Sequence, residues 1–329
     1  MTDTDRLMKR STRYILEGLF DPAIETLTKM IAAGSDTSDV YIARSLAYSE
    51  KVRARFPNAQ LTDNAALDRC KAEFRESADI RKALADIDNA LRLDAACAEG
   101  YLGKGAIMFN RGDYPAAINA FDKYLELVPG DAAVYCQRAS AHTETGAYQN
   151  AISDLTKALE LAPETDHAYY QRATIYMELQ EYSKALSDII RAIELAPAAA
   201  YYTAQAKLIL LMFPEGDNRA LLKKAVLDLT TAIKLAPANA EAYYLRAQAE
   251  LLLGERQKEL ADLTKVITLA PREADIYKQR FASNLACGRK EAAATDWLVS
   301  CQLDGRSTSE AIMVLKNTAL ENLKTAGYN

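Results

Sequence analysis

The sequence has little of what catalytic, membrane-embedded or nucleic-acid-binding proteins usually need. Its 329 residues include two histidines and one tryptophan, and 40 basic against 45 acidic side chains leave a formal charge of −5. This balance gives no support to a broad attraction to nucleic acid or anionic lipid. No apolar run is long enough to span a bilayer, and the polar start 1–6 is unlike an export signal. We therefore expect no nucleic-acid partner, no membrane insertion and a cytoplasmic location.

Reactive side chains are also sparse. His142 and His167 lie 25 residues apart, and no nucleophile-elbow, zinc-protease or dinucleotide-binding motif occurs. The five cysteines are scattered without metal-ligand spacing, which favours free thiols in a reducing compartment: Cys70, Cys97, Cys136, Cys287 and Cys301. We expect no metal, no cofactor and no catalysis by this chain, with Cys136 an inert thiol.

Prolines recur at a fixed step. Half of the residues are apolar and 26% are charged, which is enough for a sizeable core. Five prolines each close a similar segment, and they are spaced by 34, 34, 40 and 34 residues: Pro129, Pro163, Pro197, Pro237 and Pro271. A period in this range indicates stacked supersecondary units, each too small to bury its own apolar face.

Aromatic and small residues mark two helices in each unit. The first helix opens with a tyrosine at Tyr41, Tyr101, Tyr135, Tyr169, Tyr201, Tyr243 and Tyr277. A small residue four positions later allows close helix packing at Ser45, Gly105, Ala139, Ala173 and Ala247. The second helix carries an alanine and then a large apolar residue on the same face, as in Ala117 and Phe121 or Ala151 and Leu155. Turn glycines such as Gly112 and Gly146 separate the helices.

This pattern closely resembles the tetratricopeptide repeat family. The resemblance implies an all-α, right-handed superhelical solenoid of about eight helix-turn-helix units in a single domain. The expected units are 4–37, 38–97, 98–131, 132–165, 166–199, 200–239, 240–273 and 274–303. A helix over 307–326 is expected to cap the last unit, because a Ser307-Thr-Ser-Glu310 capping box precedes an apolar stripe.

Two units are longer than the period. The second is interrupted over about 51–80, where charges of both signs accompany an additional helical stretch. We interpret this insert as a solvated helical extension, and the alternative is a projection that touches a partner or a second copy. The sixth unit carries a smaller insert at 213–218.

An arginine in the first helix and an aspartate 16 positions later recur together. We expect them to form partly buried ion pairs that fix the register of the two helices, as in Arg138 with Asp154, Arg172 with Asp188, and Arg246 with Asp262. The sixth unit breaks the pattern, since Ala204 stands opposite Asp228 in the expected alignment.

The resemblance also implies that first helices line a concave surface where ligands lie. Candidate partner-binding residues on that surface are Phe109, Tyr170, Thr174, Met177, Tyr202, Tyr244 and Gln248. Tyrosine offers a large contact area with few rotors to freeze. The equally weighted alternative is that these side chains only pack on neighbouring helices.

The lysines and asparagines with which some family members grip acidic C-terminal tails are missing here. The matching positions hold Leu102, Ala106, Gln137, His167 and Gln171. We therefore expect a protein or peptide scaffold that binds an apolar or mixed segment without a carboxylate clamp. The alternative is a self-assembling scaffold whose homo-oligomer contacts use the end units or the 51–80 insert.

Overall fold

The chain is helical throughout the part that the computed structural model describes, residues 2–56 and 64–306. Those residues contain 17 helices and no strand. They fall into two compact bodies, which divide between Ile175 and Tyr176. The all-α repeat fold predicted from the proline period is confirmed. The expected capping helix over 307–326 lies outside the described residues.

The first body consists of helical hairpins, in which a first helix packs against a second, and one additional helix, α4. Its hairpins are α1 (Asp3–Leu16) with α2 (Phe20–Ala32), α3 (Ser38–Arg53) with α5 (Ala78–Leu93), α6 (Ala98–Arg111) with α7 (Tyr114–Leu127), and α8 (Ala132–Glu144) with α9 (Tyr148–Leu161). The additional helix α4 is Asn64–Glu76.

The division between the bodies falls inside α10 (Asp166–Glu178). The second body continues with α11 (Tyr182–Leu195), α12 (Ala199–Met212), α13 (Arg219–Leu235), α14 (Ala240–Leu253), α15 (Arg256–Leu269), α16 (Ala274–Ala286) and α17 (Lys290–Leu303). Here α12 pairs with α13, α14 with α15 and α16 with α17.

Local sequence explains where these helices end. Gly112 and Gly254 follow α6 and α14 in the left-handed conformation, with φ of 76° and 82°. This geometry suits glycine because it has no Cβ to clash with the backbone. At the other end of the hairpin, Ala196 is extended before Pro197, since a proline disfavours the helical conformation in the residue before it.

Close packing inside the hairpins depends on small side chains. A Cβ built on Gly105 of α6 would lie 2.4 Å from a ring atom of Phe121 on α7. The Phe121 ring is 1% exposed and belongs to a cluster that also holds Ala117, Val134 and Ala141. The recurring small residue therefore makes room for the large residue of the second helix.

The inserted helix α4 belongs to the first body and packs within it through Phe74, while its other described side chains are exposed or half-buried. Phe74 is 3% exposed and packs in a cluster with Val52, Ile80 and Ile107. The Arg75 Nε donates to the carbonyl of residue 111 at 2.6 Å, on α6. The mixed charges of the insert gave no indication that Phe74 would be buried.

Candidate functional site

The recurring arginines join neighbouring hairpins as well as the two helices of one hairpin. Arg138 on α8 donates from Nε and Nη2 to both carboxylate oxygens of Asp154 on α9, at 2.8 and 2.5 Å. Its Nη1 donates at 2.6 Å to Asp122, on the second helix of the preceding hairpin. The hydrogen bond to Asp154, followed by that to Asp122, raises the pKa of Arg138. A fork of donors in a fixed plane suits this bidentate contact.

The same arrangement recurs along the chain, with a threonine in the place of Asp122. The bonded sets are Arg44 with Asp86 and Thr28, Arg246 with Asp262 and Thr230, and Arg280 with Asp296 and Thr264. Arg172 donates to Thr156 at 3.0 Å. The sequence reading missed the partner 16 positions before each arginine, although Thr156, Thr230 and Thr264 recur at that offset.

The opening tyrosine of a first helix stacks on the same arginine. The Arg138 guanidinium lies 5.4 Å from the ring centroid of Tyr135, and Arg246 lies 5.6 Å from that of Tyr243. With their hydrogen bonds and this ring contact, the guanidinium groups are already occupied. These contacts join the two helices of a hairpin to each other and to the preceding hairpin.

The sixth hairpin reaches a similar result with different residues. Three buried residues recur in first helices, the second and third lying five and seven positions after the first. They are Val134, Ala139 and Ala141 in α8, Tyr201, Ala206 and Leu208 in α12, and Ala242, Ala247 and Ala249 in α14. This register places Gln205, rather than Ala204, at the arginine position.

Lys224 of α13 supplies the missing positive charge. Its Nζ donates to Gln205 Oε1 at 2.9 Å and to both carboxylate oxygens of Asp228 at 3.1 and 2.8 Å. Burial raises the pKa of Asp228, and Lys224 opposes that rise. A lysine one turn before the aspartate thus replaces an arginine on the facing helix.

In this register Tyr202 corresponds to Tyr135 and Tyr243, which open their helices, and not to the groove position expected for it. Tyr202 is half-buried and packs against the cluster of Ala206, Ile209 and Leu229. Tyr101 and Tyr135 pack in this way in the first body. Tyr202 therefore aligns with the structural tyrosines that open the first helices.

Three adjoining cavities follow the first helices of the first body, and we call them the first-helix groove. The large cavity, about 380 Å³, is lined by Ile42, Ser45, Leu46, Ser49, Glu50, Arg53, Phe74, Ile87, Glu99, Leu102, Gly103, Ala106, Ile107, Asn110 and Gln137. The middle cavity, about 170 Å³, is lined by Arg53, Ala106, Phe109, Asn110, Phe121, Gln137 and Ser140. The far cavity, about 170 Å³, is lined by Ala139, Ser140, Thr143, Glu144, Leu155, Gln171 and Thr174.

Two of the expected partner-binding residues line this groove. Phe109 is in the wall of the middle cavity, where its ring makes an edge contact with Tyr114 at a centroid distance of 5.4 Å. Thr174 is in the wall of the far cavity and donates to the carbonyl of residue 171 at 2.7 Å. Tyr170 is half-buried on the same helix, α10.

The other three lie in the second body. Met177 is at the end of α10, and Tyr244 and Gln248 lie one turn apart on α14. All three side chains are half-buried. Residues of the groove that sequence reasoning missed come from α3 and the insert, above all Arg53 and Phe74. Both residues belong to the interrupted stretch 51–80 of the second unit, which has no counterpart in the other repeats, so the repeat pattern could not place them.

Each of the first helices α6, α8 and α10 places an amide side chain at the groove. Asn110 and Gln137 line both the large and the middle cavity. Gln171 donates from Nε2 to Ser140 Oγ at 3.0 Å in the far cavity. Its Oε1 is buried and has no hydrogen-bond partner among the described residues. Amides of this kind can donate to and accept from the main chain of an extended peptide.

Burial raises the pKa of the Cys136 thiol on α8, which disfavours a nucleophilic thiolate. The five cysteines are free. Over residues 2–56 and 64–306, no three His, Cys, Asp or Glu side chains come together as a metal site would require. In the part of the chain that the structure describes, no helix is both long and apolar enough to cross a membrane.

One buried acid in the second body is strongly perturbed. Glu250 on α14 is 4% exposed, and its Oε2 has no hydrogen-bond partner among the residues that the structure describes. Burial, together with the negative charge of Asp262, raises the pKa of Glu250 to about 7, while Arg246 opposes the rise.

Comparison with known proteins agrees with this architecture. Two sequence profiles described as tetratricopeptide repeat match residues 73–132 and 222–274, and residues 142–208, together more than half of the chain. The chain belongs to the tetratricopeptide repeat family. No curated protein sequence matches it.

Solved structures show the same fold at low sequence identity. A tetratricopeptide repeat protein from Parabacteroides merdae is 24% identical over 76% of this chain and 96% of its own, with a TM-score of 0.52. YrrB, described as having an unusual peptide-binding site, is 20% identical over 61% of this chain and 100% of its own, with a TM-score of 0.50. The APC/C hetero-tetramer Cut9–Hcn1 contains a chain that is 14% identical over 96% of this chain and 55% of its own, with a TM-score of 0.55.

Proposed function

We propose that this protein is a non-catalytic interaction scaffold that binds an extended segment of a partner protein along the first-helix groove. The observation that carries this proposal is the run of three adjoining cavities, which share lining residues from one first helix to the next. Such a run fits a chain laid across successive repeats. A compact small molecule would occupy one cavity only.

Two of the structural neighbours support a binding role by analogy. YrrB is described as having a peptide-binding site, and Cut9–Hcn1 is described as a hetero-tetramer. Both share the hairpin architecture of this chain. We infer that this chain also binds a protein or peptide partner. Its binding surface is preformed and needs little reorganisation on binding.

The groove favours a segment that is not strongly acidic. Among the described residues that line the three cavities, Arg53 is the one cation, and Glu50 pairs with it at 3.1 Å. Apolar walls and side-chain amides remain for recognition. Binding therefore uses exclusion of water by the apolar walls and hydrogen bonds to the main chain of the segment.

The second body contributes a further candidate surface. We place Met177, Tyr244 and Gln248 on it, because their half-buried side chains lie on first helices. Tyr202 is left out, because its ring packs on the core. The self-assembly alternative has less support at the insert, since α4 is docked through Phe74.

A displayed-peptide selection tests the proposal. Random 12-residue peptides on phage are selected against the full chain, and amide hydrogen exchange is then measured with and without a selected peptide. We expect enrichment of binders and slower exchange in α6 and α8, with α13 unchanged. Failure to enrich any binder, or protection confined to the second helices α7 and α9, would contradict the proposal.

A further inference from the structure

The three cavities of the groove differ in size for a reason that the repeats themselves reveal. Gly103 and Ala106 stand on α6 at the positions that hold Gln137 and Ser140 in the next hairpin, 34 residues later. The large cavity measures about 380 Å³, and the middle and far cavities about 170 Å³ each. Gly103 lacks the side chain that Gln137 carries, and Ala106 lacks the hydroxyl of Ser140, so more space is left open at the large cavity.

The insert gives this space a wall. Phe74 of α4 lines the large cavity, which also has Ile87 and Ile107 as buried lining. Leu46 lines it too and remains 47% exposed. A repeat without an insert has no helix in the place of α4. The additional helix therefore converts part of an open groove into a bounded apolar pocket.

Among the described residues that line the three cavities, three are acidic and one is basic. Glu50 and Arg53 neutralise each other across 3.1 Å. Glu99 at the large cavity and Glu144 at the far cavity are both exposed. Glu99 places a negative charge at the large cavity, so a positively charged side chain of the occupant gains from lying beside it.

We propose that the pocket walled by α4 takes one leucine, methionine or phenylalanine side chain of the partner segment, beside a lysine or arginine that faces Glu99. The cavity of about 380 Å³ has room for one large side chain, and its mostly apolar lining suits an apolar one. Asn110 and Gln137 flank the pocket and bind the main chain of the segment on either side of the anchor. This inference rests on the proposed function and adds the identity of the anchor.

A plugging variant tests the anchor directly. In Gly103→Leu, the added Cβ has ordinary contact distance to Ile87 Cδ1, 3.5 Å, and a leucine at this lining position takes up part of the large cavity. The matched control is Ala220→Leu, which adds leucine to an exposed position of α13. The melting temperature of each variant shows whether the fold is retained.

The probe is a synthetic peptide from the phage selection, with its dissociation constant measured by fluorescence anisotropy. We expect selected sequences to share a bulky apolar residue next to lysine or arginine. Gly103→Leu should weaken binding about 10- to 100-fold, which is the value of burying one such side chain. Glu99→Lys should weaken binding several-fold, and Ala220→Leu should not change it.

The outcomes separate the two proposals. Peptides that bind the wild type and Gly103→Leu equally would refute the anchor and leave segment binding intact. A consensus with acidic residues beside the anchor, or unchanged binding by Glu99→Lys, would refute the charge preference. Absence of any selected peptide would refute both the anchor and the proposed function.

Discussion

Two glycines on one helix should respond to the same substitution with opposite signs. In the interior of a helix, alanine is favoured over glycine by about 0.8–1 kcal/mol. At Gly103 an added Cβ meets only Ile87 Cδ1, at 3.5 Å. Gly103→Ala should therefore raise the free energy of unfolding by about 0.5–1 kcal/mol.

At Gly105 the added methyl group has no room. Its Cβ would lie 2.4, 2.6 and 2.9 Å from three ring atoms of Phe121, a side chain that is 1% exposed. Overpacking of this kind costs about 1–3 kcal/mol. After subtraction of the helix gain, Gly105→Ala should lower the free energy of unfolding by about 1 kcal/mol.

Urea unfolding followed by far-ultraviolet circular dichroism measures both variants against the wild type. A separation of about 2 kcal/mol between them, with the signs given, supports the packing described for α6 and α7. Equal effects of the same sign would show that helix propensity alone decides, and that the close approach at Gly105 is not a constraint.

Three further changes test the ion-pair ladder and the buried acid. Arg138→Ala leaves Asp154 buried without its bidentate partner and should cost about 3–5 kcal/mol in urea unfolding; a loss below 1 kcal/mol would contradict this. Lys224→Met should lower the melting temperature, and adding Gln205→Arg should restore it by re-creating the arginine contact of the other repeats; absence of rescue would refute the register of α12. The pKa of Glu250 is about 7 in the folded state and 4.5 in the unfolded chain. As the pH rises between these values the unfolded chain loses this proton first, which removes about 3 kcal/mol of stability. Glu250→Gln should match the wild type at pH 4.5 and exceed its stability at pH 8, and parallel pH profiles would contradict the assignment.

The fold could be predicted because most repeats carry the same marks. The spacing of proline, tyrosine and alanine depends on contacts between adjacent helices, which are local in sequence. The pairing of Arg138 with Asp154 follows from the same local geometry. Its second partner, Asp122, belongs to the preceding hairpin and shows only when repeats are compared across unit boundaries.

The groove was harder to predict because its shape depends on departures from the repeat. Tyr201 and Tyr202 are adjacent, and the sequence pattern placed Tyr201 at the opening position of its helix, whereas burial of Tyr201 and packing of Tyr202 assign that position to Tyr202. Phe74 lies in a segment with no counterpart in other units. Gly103 contributes to the large cavity by having no side chain, and the sequence pattern gives no sign that a glycine lines a cavity.

The central claim is that a partner segment lies across the first helices of the first body. Ala106 lines both the large and the middle cavity, so Ala106→Arg places a long charged side chain in the middle of the groove. Isothermal titration of a selected peptide should then show a dissociation constant raised at least about tenfold, while Ala220→Arg on α13 leaves it unchanged. Equal affinity of the wild type and Ala106→Arg, with both folded, would contradict the account.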